Sequence, residues 1–218
     1  QHYISRKALD IEGLGGETVV LLVKAGLIND PADLYKLKIE DVLPLERMAQ
    51  KSAENLIKGI HASKQISFER VLFGLGIRFV GETVAKTLAK HYKNVNALSE
   101  ATVEELESID EIGIRIAESV HGFFRNQHCI SLVSRLHRYG IQLELSEQAM
   151  ANQTIVLAGD RIVISGVFEK VSRSELKNLI ETNGGKVVSS ISAKTTYLVA
   201  GANMGPSKRQ KAESLGIP

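Results

Sequence analysis

Four positions in the first half of the chain recur at nearly constant spacing and share one local pattern. These pivots are Gly15, Ala49, Gly81 and Gly113, separated by 34, 32 and 32 residues. An apolar residue precedes each pivot, and a small or β-branched residue follows four positions later. The pattern is typical of a tight helical hairpin, in which a pivot glycine permits either close backbone approach or a positive φ. Such a turn points the free N–H groups of the second helix outward, where the helix dipole favours an anion.

Nucleic acid is the obvious polyanion for a series of such turns. Cationic side chains also lie near the pivots, at Lys51, Arg78, Lys86 and Arg115. Each could contact a phosphate or could be an ordinary solvated charge on a helix surface, and the sequence leaves both interpretations open.

The repeat length has a second explanation, because tetratricopeptide and ankyrin arrays have nearly the same period. The signatures of those arrays are absent, since the chain has no Trp and no Thr-Pro-Leu-His segment. The pattern instead resembles the tandem helix-hairpin-helix motif of DNA repair and replication proteins.

The four copies of this motif have diverged unequally. The first keeps a full glycine–apolar–glycine core, Gly13-Leu14-Gly15, whereas the others carry Arg47, Phe79 and Glu111 in place of Gly13. The second also has alanine at its pivot, so the resemblance implies that this copy is structural and that the copies bind phosphate unequally. The residues expected to contact DNA are Gly13, Gly15, Gly16, Lys51, Arg78, Gly81, Lys86, Gly113 and Arg115.

Length and composition predict two domains. The chain has 218 residues, which exceeds the usual size of one domain, and its 44% hydrophobic content is ample for globular cores. We expect a mainly α domain of four tandem hairpins at 1–145, a polar linker at 146–157 and a small α/β domain at 158–218. Apolar spacing of three and four residues predicts helices at about 16–25, 50–63, 67–75, 82–91, 103–109, 114–126 and 129–139.

The charges are divided unevenly between the two predicted domains. The first 150 residues contain 18 basic and 20 acidic residues, and the remainder contains 9 and 5. The half assigned to DNA therefore has no net basic charge, which argues against binding through a cloud of lysines. The balance suits binding through backbone amides, which hold a phosphate without net charge.

The second half of the chain has a different periodicity. A β-run at 162–168 is followed by a helix at 173–182, strands at 186–188 and 195–201, and a basic helix at 207–215. Ser172 and Glu175 form a capping box at the start of the first of these helices.

The residues of these elements closely resemble a BRCT domain, notably the Ser-Gly after the first strand, the Gly-Gly turn, the Thr-Thr-Tyr-Leu-Val strand and the Lys-Ala-Glu-Ser-Leu-Gly-Ile segment at 211–217. The last strand and the Trp-bearing helix of that family are missing, so we expect an incomplete domain. In phosphopeptide-binding members a Ser or Thr, the next Gly and a helix-start Lys hold a phosphate. The resemblance implies a candidate phosphate pocket at Ser165, Gly166 and Lys208. The alternative is a plain turn and a helix-start cation, and we favour weak DNA contact over phosphopeptide binding.

Longer blocks resemble the C-terminal region of bacterial NAD-dependent DNA ligases, and the resemblance covers essentially the whole chain. The blocks are 3–15 (Tyr-Ile-Ser-Arg-Lys through Gly-Leu-Gly), 30–35, 51–56 and 73–83. The resemblance implies a parent enzyme that seals nicks in replication and repair, with NAD, magnesium and zinc as cofactors and nicked double-stranded DNA as partner. It further implies that this region grips both strands from the minor-groove side without regard to sequence.

The chemistry of that family is missing from the chain itself. Its adenylated lysine lies in a Lys-x-Asp-Gly motif, and no such motif occurs here. We therefore expect no catalytic residue, cofactor or metal in this fragment, and an upstream domain that supplies them. The chain does not begin with Met, and we interpret it as part of a longer protein.

Other sequence features favour a cytoplasmic protein, and the ligase resemblance implies a bacterial, nucleoid-associated one. No run of 18 apolar residues could span a membrane, and one cysteine, Cys129, excludes an internal disulfide. Two alternatives stay open: a non-catalytic repair adaptor that binds DNA through hairpins and a partner through BRCT, and a helical scaffold with no nucleic-acid role.

Overall fold

Short helices joined by tight turns make up the first part of the protein. The computed structural model describes residues 1–147 and 156–218, and it divides into two units, Gln1–Leu145 and Ser146–Pro218. The α-helices of the first unit are α1 Gly16–Lys24, α2 Ile39–Val42, α3 Gln50–Ala62, α4 Phe68–Gly74, α5 Glu82–Tyr92, α6 Val95–Glu100, α7 Val103–Glu107, α8 Ile114–Phe123 and α9 Gln127–Arg138. Single 3-10 turns occur at His2–Ile4, Pro31–Lys36 and Ser63–Gln65.

The first unit is mainly α, as predicted, and each predicted helix is present. The predicted 103–109 helix is shorter than expected because it ends at Glu107, and α2 and α6 were not predicted. Both are short, with four and six residues, so neither provides enough turns for an apolar period to be recognised.

A single apolar core joins these helices. It includes the residues four positions after three of the pivots, Ala53, Ala85 and Ala117, which are completely buried. Their small side chains allow the second helix of each hairpin to approach its neighbour closely, as the sequence pattern predicts. The corresponding residue of the first hairpin, Val19, is partly buried against the same core.

A buried chain of hydroxyl groups links distant segments of this unit. The Ser63 hydroxyl donates to the Ile60 carbonyl at 2.7 Å, so its oxygen accepts from the Tyr35 hydroxyl at 3.1 Å. The Tyr3 hydroxyl in turn donates to Tyr35 at 3.0 Å. Burial raises the pKa of both tyrosines, so both stay protonated and able to donate.

An ion-pair cluster fastens α9 to the 3-10 turn at Pro31–Lys36. The Arg135 guanidinium bonds the carboxylates of Asp30 and Asp33, at 3.1 Å to Asp33, and Lys36 bonds Asp33 at 2.9 Å. Burial would raise the pKa of Asp33, but backbone N–H groups of Asn29 and Asp30 and the Lys36 ammonium outweigh it and lower that pKa to about 2. Asp33 is therefore an ionised carboxylate inside the fold.

The second unit is built on a three-stranded parallel sheet, with β1 Arg161–Ser165, β2 Lys186–Val188 and β3 Tyr197–Ala200 in the order β2-β1-β3. Val163 of β1 pairs with Val188 on one side and Leu198 on the other. The central strand β1 has consecutive apolar residues, Ile162 to Ile164, because both faces of the sheet are covered there. Helix α10, Arg173–Thr182, packs on one face through Ile180, and α11, Pro206–Ser214, packs on the other through Ala212.

This small parallel α/β arrangement confirms the predicted fold class. The Ser172–Glu175 capping box is present at the start of α10. The predicted β-run 162–168 is shorter in the structure, because the backbone leaves the strand at Gly166, whose φ is +97°. Most of the predicted linker, 148–155 of 146–157, lies outside the described residues.

Candidate nucleic-acid interface

Four turns with one hydrogen-bonding pattern precede α1, α3, α5 and α8. In each, the N–H of the apolar residue before the pivot donates to the carbonyl three residues earlier, and the pivot carbonyl accepts the first bond of the helix. The turn bonds join Leu14 to Ile11, Met48 to Leu45, Val80 to Ile77 and Ile112 to Ile109, at 3.0 to 3.2 Å. Sequence periodicity therefore corresponds to a repeated backbone structure.

The pivots themselves have an extended backbone. Their φ values are −84° at Gly15, −89° at Ala49, −83° at Gly81 and −89° at Gly113, and each pivot is the N-cap of its helix. Positive φ occurs two residues earlier, at Gly13 (+78°), Arg47 (+62°), Phe79 (+67°) and Glu111 (+72°). The expectation that a pivot glycine supplies a positive φ is thus wrong, and close approach is the remaining explanation for glycine at these positions.

Space around the pivots is open. A Cβ placed on Gly15, Gly81 or Gly113 would meet no atom within 4 Å, and Ala49 adopts the same conformation with its methyl group. The fold itself therefore does not require glycine at these three exposed positions. A missing side chain leaves the amides of the following helix accessible to a ligand from outside.

The same four helices start without a side-chain cap in the part of the chain that the structure describes. Four other helices, α6, α7, α9 and α10, are capped by side chains, since Asn94, Thr102, Asn126 and Ser172 accept bonds from their first-turn N–H groups. Among the described residues, helices α2, α4 and α11 lack such a bond, as the hairpin helices do. The first N–H groups of a helix have no acceptor within the helix. The hairpin helices thus present unoccupied donors together with the positive end of the dipole.

Charged side chains make the hairpins electrostatically unequal. Lys51, Arg78 and Arg115 are exposed and Lys86 is half-buried. At the third hairpin the Lys7 ammonium bonds Glu82 at 2.7 Å and so neutralises the carboxylate that follows the pivot. The fourth hairpin instead carries Asp110 and Glu111 just before its pivot.

Contacts between segments place hairpins next to one another. The Glu12 carbonyl lies so near Gly59 of α3 that a Cβ there would be 2.2 Å from it. Lys7, ahead of the first hairpin, reaches Glu82 of the third, and the Ser119 hydroxyl of α8 donates to the Arg78 carbonyl at 2.7 Å. The first hairpin is therefore packed against the second, and contacts also join the first to the third and the third to the fourth.

An open groove of about 840 Å³ runs beside the first hairpin. It is bordered by Gly13, Gly15 and Gly16, which the sequence pattern singled out, and by Arg6, which it did not. The signal for Arg6 is only its place in a basic pair ahead of the hairpin, and a basic pair alone is too common to identify a site.

The candidate phosphate pocket of the second unit has a structural explanation for one of its three members. Gly166 has φ +97°, and a Cβ there would lie 2.6 Å from the Gly201 carbonyl, so the fold requires glycine. Ser165 is buried at the end of β1, and Lys208 lies in the first turn of α11. Ser165 and Gly166 stand at the carboxyl end of β1, the edge of a parallel sheet at which α/β folds bind ligands.

Residues 1–147 and 156–218 show neither a membrane-spanning helix nor a metal-binding cluster. No helix in these ranges is both long and apolar enough to cross a membrane. No group of three or more His, Cys, Asp or Glu side chains there is placed to hold a metal ion.

Family models match nearly the whole chain in three parts. Residues 5–62 match the SAM-like helix-hairpin-helix tandem, residues 70–133 the helix-hairpin-helix motif, and residues 152–218 the BRCA1 C-terminus (BRCT) domain. The first two matches cover all four hairpins.

Curated relatives named DNA ligase align along the whole chain. The protein from Christiangramia forsetii is 68% identical over 99% of the chain, that from Flavobacterium johnsoniae 63% over 100%, and that from Bacteroides fragilis 54% over 100%. The chain spans about a third of the length of these relatives (32%, 33% and 33%). The chain is therefore homologous along its whole length to the C-terminal region of bacterial DNA ligases, with helix-hairpin-helix motifs followed by a BRCT domain.

Proposed function

We propose that this chain grips nicked double-stranded DNA without sequence preference, as the DNA-binding region of an NAD-dependent DNA ligase. The observation that carries the proposal is that, in the described part of the chain, the four helices after the pivots start without a side-chain cap. Three glycines are helix N-caps at which the fold has room for a side chain. Since the fold does not require glycine there, its presence is best explained by a ligand that approaches the backbone. Phosphate is the anion that such helix N-termini bind.

The hairpins would contribute unequally. In the first, Gly13, Gly15 and Gly16 supply two or more accessible amides, and in the third Gly81 lies close to Arg78 and Lys86. At the fourth, Gly113 and Arg115 offer donors next to the acidic residues Asp110 and Glu111, so we expect a weaker contact. The Ala49 methyl group obstructs the second turn, which leaves Lys51 as its only proposed contact.

The rest of the ligase reaction would take place elsewhere in the parent protein. Adenylation of a lysine by NAD, with magnesium and zinc, belongs to regions outside this chain, and the chain has no Lys-x-Asp-Gly motif. We expect the isolated chain to acquire no adenylate from labelled NAD and to seal no nicks. An adenylated chain would refute this part of the proposal.

The BRCT domain would add a weaker contact. Ser165, Gly166 and Lys208 would hold a phosphate, and the residues after 150 have 9 basic and 5 acidic side chains, whereas the first 150 have 18 and 20. We favour DNA phosphate over a phosphopeptide here. The two are distinguished by adding a phosphopeptide library to the chain bound to duplex DNA. Displacement of the DNA by phosphopeptides would contradict our preference.

The proposal is tested by equilibrium binding of the chain to nicked duplexes of unrelated sequence at several salt concentrations. We expect equal affinities, and a slope of log K against log salt of about 3 to 5, because each neutralised phosphate contributes about 0.9. Base preference or a much steeper slope would contradict binding through amides. No binding to any duplex would favour the scaffold alternative, and binding by a parent that lacks an adenylation domain would favour the adaptor.

A further inference from the structure

A large aromatic side chain stands exposed on the third hairpin. Phe79 is 51% exposed, and its backbone has φ +67°, a region that bulky residues rarely adopt. It lies two residues before the Gly81 pivot. Exposure and backbone strain are both unfavourable for a phenylalanine, and the one partner of its ring that the structure shows is the guanidinium of the neighbouring Arg78.

The turn does not need an aromatic residue. The corresponding positions hold Gly13, Arg47 and Glu111, and all four turns close with the same hydrogen bond. Glycine at this position in the first hairpin removes the strain altogether. The third hairpin therefore keeps a less favourable residue than the fold permits.

The surroundings of the ring favour a contact with nucleic acid. The Arg78 guanidinium lies over the ring, 4.8 Å from its centroid, in a cation–π arrangement that supports one side of the ring. Gly81, two residues on, is the pivot whose amides we propose hold a phosphate. The sugar and base of a nucleotide lie within a few bonds of its phosphate, so an apolar ring close to a phosphate site is suited to contact them.

We propose that Phe79 inserts its ring into the minor groove of the duplex beside the phosphate held at Gly81, against deoxyribose and base edges. The inference rests on the proposed function. Apolar side chains that enter the minor groove partly unstack a base step, and base–aromatic contacts are tolerant of sequence. Phe79 thus strengthens binding without adding a base preference, and it does so without neutralising a phosphate.

The test is Phe79→Gly, which restores the glycine–apolar–glycine core of the first hairpin. Because glycine accepts positive φ, the melting temperature should equal or exceed that of the parent. Affinity for a nicked duplex should fall about fivefold or more, while the slope of log K against log salt stays unchanged. Val23→Ala is the matched control, since Val23 is equally exposed (52%) on α1 away from the turns, and it should leave affinity unchanged.

A second readout reports insertion directly. In a duplex with 2-aminopurine at successive positions, the parent should raise fluorescence at one step and Phe79→Gly should not. Equal affinity and equal fluorescence for parent and variant would overturn the insertion while leaving the proposed function intact, and a parent that binds no duplex would overturn both. Phe79→Asn, which also tolerates positive φ, repeats the test, and if both variants melt lower than the parent the strain argument is wrong.

Discussion

Gly59 packs so closely against the backbone of another segment that a larger residue cannot fit without a shift of that backbone. It lies in the last turn of α3, against the backbone of the first hairpin. A Cβ at this position would lie 2.2 Å from the Glu12 carbonyl oxygen and 3.1 Å from its carbon. Both are backbone atoms, which cannot rotate away as a side chain does, so Gly59→Ala requires the hairpin to move by about 1 Å.

The change in unfolding free energy caused by Gly59→Ala is the sum of two opposing effects. Overpacking a close contact costs about 3 kcal/mol when the neighbour is backbone, and alanine recovers about 1 kcal/mol through its higher helix propensity. The net loss of unfolding free energy is about 2 kcal/mol, which lowers the melting temperature of a unit of this size by about 5 to 8 °C.

Differential scanning calorimetry and urea unfolding of parent and variant measure this loss. The matched control is Gly122→Ala in α8, where a Cβ meets nothing within 4 Å. That variant keeps the propensity gain alone and should be at least as stable as the parent. If Gly59→Ala is as stable as Gly122→Ala, the close approach of the first hairpin to α3 is wrong.

Two further changes test the polar interior of the same unit. Tyr35→Phe leaves the buried Tyr3 hydroxyl without its acceptor and Ser63 without its donor, so urea unfolding should give a loss of about 1 to 3 kcal/mol, and an unchanged midpoint would mean that water replaces the missing group. The pKa of Asp33 is lowered to about 2, so its stabilisation is complete above its unfolded pKa near 3.8 and is lost as the pH falls towards 2. The parent should therefore lose about 2 kcal/mol more than Asp33→Asn between pH 5 and 2, measured by urea unfolding at each pH, and parallel profiles would contradict the assigned network.

The repeat was accessible from sequence because it is local. Each turn is specified within about eight residues, so apolar residues such as Leu14 and small residues such as Ala85 indicate the hairpin without knowledge of the rest of the fold. The capping box at Ser172 and the buried strand β1 are local patterns of the same kind. Fold class and most helix positions could therefore be predicted.

What was missed depends on contacts between distant segments or on backbone geometry. The sequence does not show that Gly59 packs against Glu12, because the two are far apart along the chain. It likewise does not show that Lys7 pairs with Glu82, 75 residues away. The positive φ before each pivot was also missed, because Phe79 and Glu111 are residues that seldom adopt it. The candidate DNA contacts themselves remain predictions.

The central claim is that amides at the pivots hold phosphate, and one substitution series tests it directly. Aspartate is a favourable N-cap, and the pivots have negative φ, so Gly15→Asp, Gly81→Asp and Gly113→Asp should match or slightly exceed the melting temperature of the parent. The new carboxylate would accept the same N–H groups that a phosphate uses and would repel the phosphate as well.

The measurement is the affinity of the parent and the three variants for one nicked duplex, by fluorescence anisotropy at fixed salt, with Ala49→Asp as the matched control. We expect at least tenfold weaker binding for Gly15→Asp and Gly81→Asp, since loss of a charge-assisted hydrogen bond costs about 1.5 kcal/mol or more, a smaller loss for Gly113→Asp, and little change for Ala49→Asp. If all three folded glycine variants bind as tightly as the parent, the hairpins do not hold the DNA through their amides.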